Sequence, residues 1–534
     1  MKRIFCLVLC IGLIFSLCGC RKNPTDISSG SVINTPMFSN DSKSANLLYS
    51  YGDSFNPYTA KTAFNREISS LLYDSLIKTN NNFEPVYVLA ASAEMLDKKC
   101  TVKLRDAKFT DGSTVTADDV IYSYEIAKES PRYSYNFYEV ESISSPDSKT
   151  VVFSLKQHDP YFINLLNFPL LKNDSANKTD ADGKEIAPIG CGRYVLSKDK
   201  LSFKQNQNYY GKKGVIETVN LIASPDAAST SHYVEVGAAT VYFTEGDKIV
   251  RMSGKKLDVN LNRFIYIGVN DSYGSLASRE MRYAISAALD REDICRSAYF
   301  NNATAATGFF NPAFKPTQAL QTIEGKPNSK ITVENLSKIG YNNMNSNGFY
   351  ANVAGNNPVF SLLVNSENSS RVAAANLIAA QCKAAGIEIN VVKCSYEQYV
   401  SRLSEGQFQL YLGEIQLTDN MDFSSLVIPE ESAAFGVSKQ NAKTDKDDKD
   451  KDETPAENSV TEKVEQKKGN CAQIMKKYHK GECGISDVAT TLLSEMPQIP
   501  VCYLNGVLFY NPAITGGVEV SSSDIYLSFE NYEF

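Results

Sequence analysis

Three histidines, His158, His232 and His479, are the side chains best suited by type to general-base or metal-ligand work, and they lie far apart in the sequence. No Gly-x-Ser-x-Gly elbow, His-Glu-x-x-His pair or phosphate-cradling glycine loop accompanies them, so the usual arrangements for nucleophilic hydrolysis, zinc catalysis and nucleotide binding are missing. No catalytic residue, metal site or cofactor is expected, and histidine scarcity argues against a metal held by protein groups alone. The run Asp445-Lys446-Asp447-Asp448-Lys449-Asp450-Lys451-Asp452-Glu453 is acidic enough to raise the question of calcium. Its interleaved lysines lower the local negative charge and no EF-hand spacing appears, which leaves a solvated surface insertion.

Cysteine is the other reactive type, with 12 copies. Those beyond the N-terminal segment, Cys100, Cys191, Cys295, Cys382, Cys394, Cys471, Cys483 and Cys502, are even in number and widely spaced. Disulfides are permitted outside the cell, but with 43% hydrophobic residues the fold need not depend on them, and buried free thiols fit equally well. Cys20 is different. It ends Leu17-Cys18-Gly19-Cys20, after Lys2, Arg3 and an apolar run from Ile4 to Cys18 that is too short to span a bilayer comfortably. This resembles the bacterial lipobox, whose cysteine is diacylated on sulfur and becomes the mature N-terminus; two or more chains on one residue anchor stably. Residues 1–19 are therefore expected to be a lipoprotein signal peptide, with the rest outside the cytoplasmic membrane and held there by lipid on Cys20.

Loss of Lys2 and Arg3 with the leader takes the formal net charge from −7 to −9, with no basic stripe, which excludes nucleic acid as a partner. At 534 residues the chain exceeds what one core serves, so two or three domains are expected. Residues 20–45 read as a flexible tether rich in Ser, Asn, Asp and Pro. Residues 441–470 carry almost nothing apolar and cannot offset their ordering entropy by burial, so disorder is expected there.

Between these segments strands and helices alternate. Thr116-Ala117-Asp118-Asp119 has the form of a capping box, with Val120, Ile121 and Tyr124 on the buried face of the helix it opens. A second helix follows Ala277-Ser278, with Met281, Ala284, Ile285, Ala288 and Leu289 on one apolar face. A third runs from about Arg371 to Ala385, stops at Gly386, and precedes alternating Ile387, Ile389 and Val391. Short strands are expected at Thr101–Leu104 and Thr150–Leu155. The class is α/β with mixed sheets in more than one lobe.

Taken in order, these segments resemble the oligopeptide-, dipeptide- and nickel-binding proteins of the bacterial extracellular solute-binding family 5. The stretch from Val102 to Val120, with Phe109-Thr110-Asp111-Gly112 and Thr116-Ala117-Asp118-Asp119 inside it, is similar to the family's "VKFHDGTPLTAEDV" signature. Leu72-Tyr73-Asp74-Ser75-Leu76 and Phe83-Glu84-Pro85 through Leu89-Ala90 resemble the family's first helix and the turn after it. Pro188-Ile189-Gly190-Cys191-Gly192-Arg193-Tyr194 resembles "VGTGPY" with Cys for Thr and Arg for Pro, and Arg282 to Arg291 resembles "RQALSYAIDR". Asp111-Gly112 is also a hairpin signal, and Gly190 and Gly192 serve backbone geometry, so these motifs mark the fold rather than the ligand.

The resemblance implies a two-lobed periplasmic-binding-protein-like fold of type II with an extra inserted domain. Residues 46–60, 180–268 and 500–534 would form lobe I, 61–179 the inserted domain, and 269–499 lobe II with the 441–470 insertion. Hinge strands are expected near Asn262–Asn270 and Ile499–Tyr510, and ligand closure about them. In peptide-binding members an aspartate of the second lobe pairs with the ligand's ammonium. The matching stretch here is Leu410 to Asp422, in which Glu414 stands where the family has Trp and Leu417 about where it has the pairing Asp. Tyr411, Glu414, Asp419 and Asp422 are the candidates on that side, and Tyr51, Phe64 and the cap-like Asn65 on lobe I. With no Trp among 30 Tyr and 26 Phe, any aromatic floor must use the latter two types. The implied function is a monomeric, lipid-anchored binding component of an ABC importer, partnering a permease and an ATPase and carrying peptides. A nickel chelate, haem or another small solute is the alternative within the family, and a signalling co-receptor or adhesin the alternative outside it.

Overall fold

Lys255–Val269 and Gln498–Tyr510 are apolar and almost continuously buried over the stretches they share with neighbours on both sides, and they form the two longest strands, of 15 and 13 residues. The computed structural model describes residues 41–245, 254–429, 433–437 and 470–534. Cys20, the leader, most of the tether and the charged run at 445–453 lie outside the described residues. The two long strands pair antiparallel, and their register shifts between Asn260 and Arg263, where Asn262 takes a left-handed φ of +53°. Such a bulge bends the strand and increases its twist. On one side of it Val241–Glu245 pairs with residues 506–510. On the other, Arg263–Val269 pairs with Leu410–Gln416.

The full sheet runs Val241–Glu245, Gln498–Tyr510, Lys255–Val269, Leu410–Gln416, Val359–Asn365, Glu388–Cys394, with Ala303–Ala305 added on Gln498–Tyr510. Val359–Asn365 and Glu388–Cys394 are parallel, so a crossover must join them. Helix Ser369–Ala384 is that crossover. It ends where the sequence indicates: Gly386 adopts φ +80° and donates to Lys383 O at 3.0 Å, and Ile387 donates to Cys382 O at 2.8 Å, a Schellman closure. Helix Arg279–Ala287 starts on Ser278 as expected and buries Met281, Ala284 and Ile285. Its Arg282 donates to the carbonyls of Glu495 and Met496, capping the end of helix Ile485–Glu495.

Two further four-stranded sheets occupy the first half of the chain. In one, Ser44–Tyr49 lies parallel to Thr218–Ala223, followed by Ser202–Gln205 and Tyr194–Leu196; its first strand opens within the last residues of the expected tether. The other is an antiparallel sheet of Ala90–Leu96, Lys99–Leu104, Thr150–Leu155 and Val140–Asp147. Helix Ala117–Glu129 covers it, with Ala117, Val120, Tyr124 and Ala127 buried; Thr116 N donates to Asp119 Oδ2 at 2.8 Å, the return bond of the capping box, and Thr116 Oγ1 donates to the same oxygen at 2.8 Å. This sheet and helix have their own apolar core, around Phe109, Tyr124, Phe153 and Phe168. Gly190 and Gly192 join that part to the rest: a Cβ on either would fall 2.2 to 2.7 Å from Leu72 backbone atoms, and Gly192 N donates to Leu72 O. The eight described cysteines are free thiols, five of them buried, which is the packing alternative rather than the disulfide one. No helix among the described residues is long and apolar enough to cross a membrane.

Candidate functional site

A cavity of about 280 Å³ opens beside the Asn262 bulge, between Arg132 and Asn167 of the part with its own core, Arg263 on the long strand, Leu417–Asp419, and Ser522–Ser523 near the C-terminus. A recess of about 50 Å³ adjoins it, lined by Arg66, Glu67, Lys78 and Asp524, and shares Arg132, Tyr133, Asn167, Ser522 and Ser523 with the larger space. The bulge helps to set this up, because Asn262 Nδ2 donates to Leu417 O (3.3 Å) and Thr418 O (3.0 Å) and so aims the segment after strand Leu410–Gln416 into the cavity.

The sequence candidates divide sharply here. Asp419 lines the cavity; Thr79 Oγ1 donates to its Oδ2 at 2.7 Å, and burial pushes its carboxyl up to about 6. Glu414 is engaged elsewhere: Arg371 Nε donates to its Oε2 at 3.0 Å, and Arg263 Nε lies 3.7 Å from Oε1. Asp422 accepts from Ser424 N at 2.8 Å and stands 3.6 Å from His479 Nε2. Burial works to raise Asp422 and lower His479, but the bond and charge between them prevail, holding the carboxyl down and the imidazole up. Tyr411 is 1% exposed and lines neither space; its ring packs edge-on against Phe408 at 5.0 Å and Tyr266 at 5.8 Å.

On the other side, Tyr51 is 82% exposed and Phe64 packs on the Tyr242 ring at 6.4 Å, and neither lines the cavity. Asn65 differs from its cap-like reading. Thr62 caps helix Ala63–Ile68, while the buried Asn65 side chain accepts from Ser50 N at 2.8 Å and donates to the carbonyls of Ser50, Asp53 and Ser54, fastening the loop before the helix. It thus positions its neighbours Arg66 and Glu67, which do line the recess.

Sequence reasoning missed Glu67, Arg132, Arg263 and the Ser522–Ser523 pair. The signal for the last was the oddity at Arg193. That buried guanidinium donates to Glu530 Oε2 at 2.6 Å and to Asp524 Oδ2 at 3.3 Å, and Lys78 Nζ reaches Asp524 Oδ2 at 2.5 Å. Burial resists charge on Asp524, but the two cations hold its carboxyl below the usual range. An ion cluster of this kind is costly to desolvate and needs all its partners, and here it clamps the C-terminal segment against the recess.

The profile of bacterial extracellular solute-binding proteins, family 5 (middle), matches residues 84–429. The chain is 24% identical over 373 residues to the oligopeptide-binding protein AppA of Bacillus subtilis (strain 168), covering 66% of this chain and 68% of AppA. It is 25% identical over 319 residues to the glutathione-binding protein GsiB of Escherichia coli O6:K15:H31, covering 56% and 62% respectively, so the match falls short of two thirds of GsiB. A crystal structure of an ABC transporter substrate-binding protein from Sinorhizobium meliloti superposes with a TM-score of 0.70 at 18% identity, covering 92% of this chain and 99% of that one, a likeness of fold. With its mixed α/β architecture and a family match over most of its length, this chain belongs to the bacterial extracellular solute-binding proteins of family 5, a class that binds solutes rather than transforming them.

Proposed function

We propose that this chain captures short peptides in the cavity and presents them to an ABC importer while anchored by lipid on Cys20. Asp419 carries the reading. Of the acids in the 414–422 stretch it is the one that lines the cavity with a single protein donor on its carboxylate, whereas Glu414 and Asp422 already have cationic partners. A ligand ammonium arriving there supplies the counter-charge that burial withholds. Size is compatible with the class: 280 Å³ is nearly twice the roughly 150 Å³ that accommodates a benzene ring, room for a small peptide or part of one. The names of AppA and GsiB point to peptide cargo for those proteins, glutathione being a tripeptide.

Closure follows from the same geometry. Thr79 Oγ1 and Asn164 Nδ2 bond Asp419, at 2.7 and 3.1 Å, and Asn420 Nδ2 donates to Asp159 Oδ2 at 2.8 Å. These bonds seal one flank, and lobes made of 46–60, 180–268 and 500–534 on one side and 269–499 on the other would part by bending the long strands at the Asn262 bulge. Calorimetry with tri-alanine and its N-acetyl derivative tests the reading. Acetylation keeps the shape and removes the ammonium, so the free peptide should bind at least about tenfold tighter. Equal affinities would rule out ammonium anchoring, and a non-peptide solute in the mass spectrum of ligand released by denaturation would rule out peptide cargo.

A further inference from the structure

Glu67 and Arg132, an acid and a guanidinium, line the same 50 Å³ recess and do not bond each other. Among the described residues the Glu67 carboxylate takes part in no hydrogen bond or ion pair, and the Arg132 guanidinium has no acceptor, lying over the ring of Tyr133 at 5.4 Å. Arg66, also on the recess wall, is likewise without an anionic partner. Apart from Asp419, the other charges around the two spaces are matched, Lys78 to Asp524 at 2.5 Å and Arg263 to Glu245 at 2.8 Å. The recess is therefore a place where one acid and two guanidinium groups are held close without neutralising one another.

We propose that this recess takes the C-terminal residue of a peptide with a basic side chain, its ammonium on Glu67 and its carboxylate on Arg132. The proposal rests on the reading of the cavity as a peptide site with the amino terminus at Asp419, and it adds a selectivity at the far end. A ligand cation alone would meet Arg66 and Arg132, and an anion alone would leave the Glu67 carboxyl without a partner; a residue that brings both charges serves the acid and the guanidinium groups together. Arg132 lines the cavity and the recess alike, so it stands where the main chain of the ligand would end and its side chain turn off. At about 50 Å³ the recess has room for an ammonium and the methylene next to it and falls far short of the roughly 150 Å³ that takes an aromatic ring. Burial, against the pull of Arg132 and Arg66, pushes the Glu67 carboxyl up to about 8, so the empty recess stores a proton that an ammonium would displace.

The test compares Ala-Ala-Lys, Ala-Ala-norleucine and Ala-Ala-Lys amide by calorimetry on the whole protein, wild type and with Glu67→Gln, Arg132→Gln or Asp419→Asn. Wild type should bind the lysine peptide about tenfold or more tighter than the norleucine peptide, and amidation should cost a similar factor. Glu67→Gln should abolish the lysine preference, and Arg132→Gln should make acid and amide equal. Equal affinity of wild type for the lysine and norleucine peptides overturns the proposal, as does a lysine preference that survives Glu67→Gln. The wild-type comparison stands whether or not a variant folds. Asp419→Asn should weaken all three peptides; if it weakens none while the lysine preference remains, the amino-terminal reading fails and the recess stands. If none of the three binds, both fail.

Discussion

Asp419 and Thr79 lie 340 positions apart and share a 2.7 Å hydrogen bond, Thr79 Oγ1 donating to Asp419 Oδ2. Asn164 Nδ2 donates to the main-chain oxygen of Asp419 at 3.1 Å, so the residue is held from two directions. One neutral hydroxyl does not offset the loss of water around a carboxylate, and the carboxyl is pushed up to about 6. Asp419 is thus fixed in position without being neutralised, which is what an anchor for a ligand cation requires.

Replacing Asp419 by Asn keeps the shape and the Thr79 contact and removes the charge. Peptide affinity measured by calorimetry should fall by about two decades, about 3 kcal/mol, because a buried ammonium is left without its partner. Glu414→Gln should act on the fold instead, releasing Arg371 and Arg263 and lowering the melting temperature, with a smaller effect on affinity. Full affinity in Asp419→Asn would remove Asp419 from the site.

His479 and Asp422 should give stability a pH window. The stabilising share of Asp422 is present above the ordinary carboxyl value of 3.8 and is lost as pH falls through its lowered pKa. That of His479 is complete below 6.5 and is lost as pH rises through its raised pKa. Between those limits both contribute, so His479→Gln should cost about 1–2 kcal/mol near pH 5 and clearly less near pH 9. Thermal melts at the two pH values check this; equal losses would assign the effect to packing around His479 and its 2.8 Å contact with Ser424.

What could be read from the sequence was what is decided locally. The Thr116–Asp119 capping box, the Gly386 stop and the strands at Thr101–Leu104 and Thr150–Leu155 depend on neighbours a few residues away. Tyr411 misled because strand alternation separates two faces without saying which meets the cavity, and its face meets Phe408 and Tyr266. Asn65 misled because a polar residue at a helix start fits a cap as well as a loop fastener. Glu67 and Arg132 left no trace in the sequence: they are 65 positions apart, each unremarkable alone, and the recess they share exists only after the chain has packed.

Cys20 lies outside the described residues, and the lipid anchor is tested in cells. Cys20→Ser should move the protein from the membrane fraction to the soluble extracytoplasmic fraction and abolish labelling by a clickable fatty acid. Unchanged detergent partitioning of the variant would exclude Cys20 as the anchor.

Glu67 should make the ligand-free protein less stable as pH rises. Its folded-state pKa of about 8 exceeds the ordinary 4.5, so between these values the folded state binds more protons than the unfolded one and stability declines with pH. A shift of that size corresponds to at most about 4–5 kcal/mol, and the residual exposure of Glu67 to the recess reduces the realised penalty to about 1–2 kcal/mol. Glu67→Gln removes the penalty, so its melting temperature should exceed that of wild type at pH 8.5 and match it at pH 4.5. The same proton gives a second readout. At pH 7 the Glu67 carboxyl is mostly protonated, and an ammonium placed against it should expel that proton, close to one per ligand for Ala-Ala-Lys. Calorimetry in buffers of different ionisation enthalpy counts it. The release should vanish in Glu67→Gln, and a wild-type protein that binds the lysine peptide with no buffer dependence would show that its ammonium does not reach Glu67.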